Sequence, residues 1–340
     1  MKKVTGFLKR ILIWLSAFVF VLAMAGTIYQ TASAEADRRN LRAPGNLIDV
    51  GGFKMHISCM GEGSPTVILE ALSGGTSSYW GWVQPEVAKA TRVCVYDRAG
   101  RGWSEPDPEP ITLARTVRNL HTLLTNARIE GPYLLVGHSI GGIYVRQFAA
   151  DYQAEAVGMV LVDASHPHQF DLYPDMLKDN QSYLQVSSAF PTLARLGVFR
   201  LYFALGGEID FAEMKEPQKS EIKAIWSSPE YFMSQRAEII AGPGIFSGGQ
   251  RLGPLGDLPL LVITAGYNAS DPWMELQSDL VSLSDDSIHL NLETATHASL
   301  AFNPDDAHQV SLGILKVLDA IRAGDRLEVA FSPAGEVSQP

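Results

Sequence analysis

The chain has 340 residues, 46% of them hydrophobic, with a formal net charge of −10 at pH 7 and two cysteines. This length and composition suit one large folded unit carrying an insertion, and two cysteines exclude a disulfide scaffold or a cysteine-based metal site. The negative balance, with basic residues clustered only in the first ten positions, argues against nucleic acid as a partner.

Lys2, Lys3, Lys9 and Arg10 precede a charge-free, mostly apolar run over positions 11–28. At about 1.5 Å per helical residue the run spans about 27 Å, close to the roughly 30 Å of a hydrocarbon core. The basic flank orients the N-terminus to the cytoplasm and the rest of the chain outside it. Residues 1–34 are therefore read as a signal anchor, with the membrane as the partner of this helix. Ala32-Ser33-Ala34 also has the form of a signal-peptidase site, and cleavage there would release an exported protein. The apolar run exceeds the roughly 7–15 residues of an ordinary signal-peptide core, which favours the uncleaved anchor. Residues 35–45 read as a linker.

Beyond it, β-type and helical segments alternate, which implies a mostly parallel sheet flanked by helices. Strands are predicted at 47–50, 54–59, 66–71, 92–96, 133–136, 157–162, 260–264 and 287–292, and helices at 83–89, 113–127, 142–151 and 306–322. Cys59 and Cys94 each fall in a predicted strand; they are either two small buried apolar side chains or a single bridge, which an oxidising compartment allows. Between the strands at 157–162 and 260–264 the alternation stops. That stretch reads as helical (174–186, 191–205, 216–226, 230–241) and closes on a Gly-rich run, as a lid over a site would. Positions 190–205 are unusually apolar, for burial within the lid or for gripping an acyl chain or the bilayer. The division expected is a core of residues 46–167 and 257–323, a helical cap of 168–256, and a loose tail of 324–340.

The most informative segment is Gly137-His138-Ser139-Ile140-Gly141, between the predicted strand 133–136 and the helix 142–151. A Gly-x-Ser-x-Gly turn between strand and helix is the setting of a nucleophile elbow. The turn strains the serine backbone, and larger residues two positions either side would collide with the neighbouring strand and helix. Ser139 is held clear of the sheet beside the first amides of a helix, where an anion is stabilised. It is the candidate catalytic nucleophile.

This elbow, the strand alternation and Tyr96-Asp97-Arg98-Ala99-Gly100-Arg101-Gly102-Trp103-Ser104 together resemble the α/β-hydrolase superfamily, over about residues 46–318. Within it the chain is similar to a bacterial group with an N-terminal membrane anchor. The resemblance implies an α/β-hydrolase fold: a mostly parallel eight-stranded sheet flanked by helices, with a helical cap between strands 6 and 7. It implies a serine hydrolase acting on a carboxylic ester or related small-molecule acyl substrate, without cofactor or metal. Acyl transfer or peroxide-dependent chemistry on the same residues is the alternative, as is a binding protein that has kept the fold.

A serine hydroxyl needs a base, and the base an orienting acid, in the chain order Ser, Asp/Glu, His. Of the histidines after Ser139, His166 and His168 come too early, and His289 and His308 fall in a strand and a helix. His297, in a loop of small residues between strand and helix, matches the family's catalytic position. Asp271, after the strand at 260–264, is the expected acid, with Asp163 at the end of the strand at 157–162 as the alternative. The oxyanion hole is expected from the backbone amides of Ile140, next after the nucleophile, and of Ser73, in the loop after the strand at 66–71. Asp97, Arg98 and Trp103 are read as bracing the loop beside the elbow, and Trp80 and Trp82 either line the acyl side of the pocket or pack in the core.

Overall fold

The computed structural model describes residues 2–207 and 213–332. Eight strands, β1 (Asn46–Asp49), β2 (Lys54–Met60), β3 (Thr66–Glu70), β4 (Val93–Tyr96), β5 (Tyr133–His138), β6 (Ala156–Val162), β7 (Leu260–Ala265) and β8 (Ser287–Leu292), form one sheet. Their order is β1-β2-β4-β3-β5-β6-β7-β8. β2 runs antiparallel to both β1 and β4, and every pairing from β4 to β8 is parallel. Each predicted strand is present: β3 to β7 are apolar runs buried on both faces, while β1 and β8, at the sheet edges, are only partly covered. Alternate residues go to opposite sides: Leu135, Leu161 and Val262 face one core layer, and Val136, Val160 and Leu261 the other.

The helices are α1 (Lys2–Asn40), α2 (Val83–Val87), α3 (Leu113–Asn126), α4 (Gly141–Asp151), α5 (Gln169–Leu172), α6 (Asp175–Val186), α7 (Phe190–Arg195), α8 (Val198–Ala204), α9 (Gln218–Trp226), α10 (Pro229–Gly249), α11 (Asp271–Val281), α12 (Ser299–Phe302), α13 (Pro304–Ala323) and α14 (Leu327–Phe331). Helices α3 and α4 cover one face of the sheet, and α2 and α13 the other. On α3, Val117, Leu120, Leu123 and Leu124 form the buried stripe, and the Thr112 side chain caps its first turn. Helices α5 to α10 lie between β6 and β7, where the insertion was expected.

In the fold, the structure departs from the sequence reading in four places and settles one reading left open. Residues 35–40, expected as linker, continue α1, and Glu35 pairs with Arg38 and Arg39 one turn on. The apolar segment 190–205 is two helices, because Gly197 turns left-handed at φ 72° between them. Helix α10 runs through Pro243 to Gly249: Ile245 and Phe246 bury in the core, and a side chain at Gly249 would meet Ile143 at 3.0 Å. Tertiary packing here overrides the local breakers. The tail expected from 324 forms α14, with Leu327 buried; residues 333–340 lie outside the described residues. Finally, Cys59 and Cys94 face each other across β2 and β4 and are joined as a disulfide, which settles the two open readings in favour of the bridge.

Candidate active site

The site lies at the C-terminal ends of β5 and β6. Ser139 turns the chain from β5 into α4 with φ 57°, a left-handed conformation that a serine adopts only under constraint. The turn is held by the Ser139 amide on the Val162 carbonyl (3.1 Å) and by the Ser139 carbonyl, which accepts from Gly142 and Ser165 (both 2.9 Å). A Cβ at position 137 would sit 2.6 Å from the Gly141 carbonyl oxygen, and one at 141 would sit 2.8 Å from that of Glu70. Glycine is required at both positions by backbone contact.

His297 stands beside this turn, in the loop between β8 and α12, its ring centroid 4.7 Å from that of His138. Its side chain is 47% exposed. No hydrogen bond joins it to the Ser139 hydroxyl among the described residues. Its Nδ1 donates to Asp163 Oδ2 at 2.6 Å. A carboxylate can only accept, so this bond fixes the proton on Nδ1 and leaves Nε2 free to take another. Asp163 is itself strained, at φ 39°, and its side chain is buried. Its other oxygen, Oδ1, accepts from the Ala265 amide (3.2 Å) and the Trp273 indole (3.0 Å).

Asp271, the expected acid, is not the partner of His297. Ser270-Asp271-Pro272 starts a helix: Ser270 is the N-cap of α11, Asp271 sits exposed in its first turn, and Pro272 follows. The loop after β7 contributes an indole donor to Asp163 where an acid was expected. The other histidines after Ser139 are engaged elsewhere: His166 with Asp279 (2.8 Å), His168 with Asp171 (2.8 Å), His289 with Thr264 (2.8 Å) and His308 with Glu86 (2.7 Å). His138 is buried against Trp80, and burial together with the neighbouring His297 holds its pKa well below the ordinary value, so its ring is neutral. Trp80 is a core residue; the Trp82 ring lies under Lys215 at 3.6 Å.

In the loop after β3, the Gly75 amide donates to Leu72 O (2.9 Å) and the Gly74 amide to Glu238 Oε2 (3.0 Å). No acceptor among the described residues takes the amides of Ser73 or Ile140. Arg98, read as a brace, holds this loop, and sequence reasoning missed its partner on the cap. Glu238, on cap helix α10, also accepts from the Ser73 hydroxyl (2.8 Å), from Arg98 (2.8 Å) and from Arg101 (2.8 Å). Arg98 further donates to the carbonyls of Ala71 (2.7 Å) and Leu72 (2.8 Å) and pairs with Glu70, which takes the Tyr96 hydroxyl. All four charged residues are buried. Burial works to raise the Glu238 carboxyl, but Arg98, Arg101 and the Ser73–Gly74 donors outweigh it and hold it at about 2. Glu70 has one arginine and a neighbouring carboxylate, so burial wins and pushes it up to about 7.

Asp97 shapes the adjoining turn by accepting from the amides of Ser77 (2.6 Å) and Trp103 (3.0 Å) and pairing with His56 (2.9 Å). Ile222 and Met214 of the cap pack with Tyr79, Ala301 and Phe302, against Leu72 of the β3 loop and Ala298 beside the histidine. The cap therefore meets both loops of the site through apolar side chains. No cluster of three or more metal-ligating side chains occurs among the described residues.

A strained serine between strand and helix, on a mostly parallel sheet with a histidine–carboxylate pair beside it, defines a hydrolase-type site on an α/β scaffold. The sequence profile of the alpha/beta hydrolase family matches residues 71–310, and the chain belongs to that family. It is 28% identical over 274 residues to an uncharacterized protein of Schizosaccharomyces pombe, a match covering 78% of this chain and 48% of that one. The chain thus spans about half the length of that relative. Among solved structures it resembles a thermophilic esterase from Thermogutta terrifontis (TM-score 0.59, 20% identity, 81% and 98% of the two chains). It also resembles the enol-lactonase from Burkholderia xenovorans (TM-score 0.59, 19% identity, 81% and 100%).

Proposed function

We propose that the chain is a serine hydrolase that cleaves a carboxylic ester through an acyl-enzyme, with Ser139, His297 and Asp163 as its triad. The observation that carries this reading is the 2.6 Å bond from His297 Nδ1 to the buried Asp163 carboxylate beside the strained Ser139. His297 Nε2 takes the Ser139 proton as Oγ attacks the ester carbonyl, and Asp163 stabilises the imidazolium that forms. The carbonyl oxygen gathers negative charge and is held by the amides of Ile140 and Ser73. The tetrahedral adduct collapses, the C–O bond breaks, and His297 returns the proton to the departing alcohol. Water, deprotonated by the same histidine, then attacks the acyl-enzyme and releases the acid, restoring the Ser139 hydroxyl. The apolar packing of Ile222, Met214 and Phe302 against Leu72 and Ala298, on either side of the site, favours an acyl group with hydrophobic substituents.

The same reading places α1 across a membrane, as an uncleaved anchor with the catalytic domain outside the cytoplasm. Its support is one exposed apolar helix near the N-terminus behind a basic flank. Fluorophosphonate labelling of the full chain, with Ser139→Ala alongside, tests the mechanism. Labelling that is abolished in the variant is expected; absence of labelling in the folded wild type would overturn the hydrolase reading and favour a binding protein.

A further inference from the structure

Helix α1 does not stop at its apolar run. Its last four turns dock on the cap through specific contacts. The Leu196 carbonyl packs so closely on Gly26 that no side chain fits there, and a Cβ at Gly197 would lie 3.0 Å from the Gly26 carbonyl oxygen. Gln30 is buried, donates to the Ser227 carbonyl (3.0 Å) and accepts from Arg200 Nε (3.0 Å). Arg200 also pairs with Asp37 at 2.6 Å. The corner between α7 and α8 is thereby fixed to one level of α1, at Gly26.

That level matters if α1 is the membrane anchor, the reading on which this inference rests. With positions 11–28 in hydrocarbon, Gly26 lies two residues, or about 3 Å, inside the boundary. The headgroup layer beyond it is about 5–7 Å thick. The α7–α8 corner therefore sits at the edge of the hydrocarbon, next to the headgroup layer, and α8, about 10 Å long, starts from it. On α8 and just after it, Val198, Leu201, Tyr202 and Leu205 are exposed, Leu205 to 78%. The chain from Phe190 to Gly207 carries no carboxylate, and of its two arginines Arg200 is taken up by Asp37, so the stretch presents no negative charge to repel a zwitterionic or anionic lipid surface. Tyr29 on α1 and Tyr202 on the cap have the amphipathic rings enriched at such an interface.

We propose that α8 is a membrane-contacting surface: its exposed apolar residues sit in the leaflet on the catalytic-domain side, so the cap is borne on the bilayer at two places. The partner is lipid, engaged through continuity with the anchor.

Because both native cysteines are in the disulfide, an introduced cysteine is the sole thiol for labelling. The test uses the full chain in phosphatidylcholine–phosphatidylglycerol nanodiscs, with an environment-sensitive fluorophore at Leu201→Cys or Leu205→Cys. Phe18→Cys reports the anchor, and Val329→Cys, exposed on α14, reports the aqueous surface. Doxyl-labelled lipids are expected to quench positions 18, 201 and 205 at least about threefold more strongly than 329. Quenching at 18 with positions 201 and 205 behaving like 329 overturns the inference while leaving the anchor intact. Blue-shifted but unquenched emission at 201 and 205 means a second copy of the chain covers α8, and also overturns it. No quenching at 18 removes the anchor reading and the inference with it.

Discussion

Replacing Asp163 by asparagine changes the proton inventory at His297 with little change in shape. The aspartate accepts three bonds: from Ala265 N and Trp273 Nε1 on Oδ1, and from His297 Nδ1 on Oδ2. Asparagine has one acceptor oxygen, and the two donors at Oδ1 claim it, so the amide nitrogen faces the imidazole. His297 must then accept at Nδ1 and carry its proton on Nε2, the nitrogen that the proposed mechanism needs free for the Ser139 proton. Loss of the correct tautomer and of the charge that stabilises imidazolium costs about 10³–10⁴ in kcat/KM, or about 4–5.5 kcal/mol of transition-state stabilisation. Asp271→Asn removes only a carboxylate from the first turn of α11, worth about 0.3–1 kcal/mol of stability, and leaves turnover within about twofold. Hydrolysis of p-nitrophenyl esters and the rate of fluorophosphonate labelling, with folding verified by circular dichroism, separate the two. Near-wild-type turnover by Asp163→Asn, or a collapse confined to Asp271→Asn, would refute the assignment of the acid.

Removing the Glu238 carboxylate leaves Arg98 and Arg101 short of a buried partner, so Glu238→Gln is expected to lose about 3–5 kcal/mol in urea unfolding. Its kcat should fall as the Ser73–Gly74 loop loosens. Glu238, depressed from 4.5 to about 2, contributes stability that is present above pH 4.5 and lost as pH falls towards 2. Glu70, raised from 4.5 to about 7, holds its proton in the folded state between those values, so its contribution declines as pH rises through that window. Unfolding free energies measured from pH 2 to 8 should lose the acid limb in Glu238→Gln and the neutral limb in Glu70→Gln; unchanged profiles would contradict the cluster's charge state. Reduction of the Cys59–Cys94 bridge, which closes a separation of 35 residues, is expected to destabilise by about 3–4 kcal/mol, read as a shift of the urea midpoint with reductant. Gly137→Ala drives a methyl into the Gly141 carbonyl and is expected to abolish probe labelling even where soluble protein is recovered.

What the sequence revealed was local, and what it concealed was distant. The five central strands, β3 to β7, were legible because a strand buried on both faces is an apolar run whatever its neighbours are, and the partly covered edge strands β1 and β8 by their β-type residues between turn signals. Ser139 was legible because glycine spacing records a backbone clash within five residues. His297 stood out through its small-residue loop and its place after the last strand. The carboxylate partner of His297 was not legible, since Asp163 and Asp271 both satisfy the order Ser…Asp…His. Pro272 is the one local signal against Asp271, because aspartate followed by proline marks the first turn of a helix. The charge cluster was hidden for another reason: Glu238 meets Arg98 across 140 positions of chain, and no periodicity encodes such a pairing. The continuation of α10 through Pro243 was hidden likewise, since burial of Ile245 and Phe246 decides it.

Ser139 and Asp163 both precede the cap in the chain and sit at the ends of adjacent strands, and only His297 follows it. Chain order alone would make residues 168–256 an exchangeable cassette. Glu238 sets the condition on that exchange. A transplanted cap of any shape must deliver one carboxylate to the point where Arg98, Arg101, the Ser73 hydroxyl and the Gly74 amide converge. A chimera lacking it would keep Ser139, His297 and Asp163 and still arrive with two stranded guanidiniums under an unanchored loop.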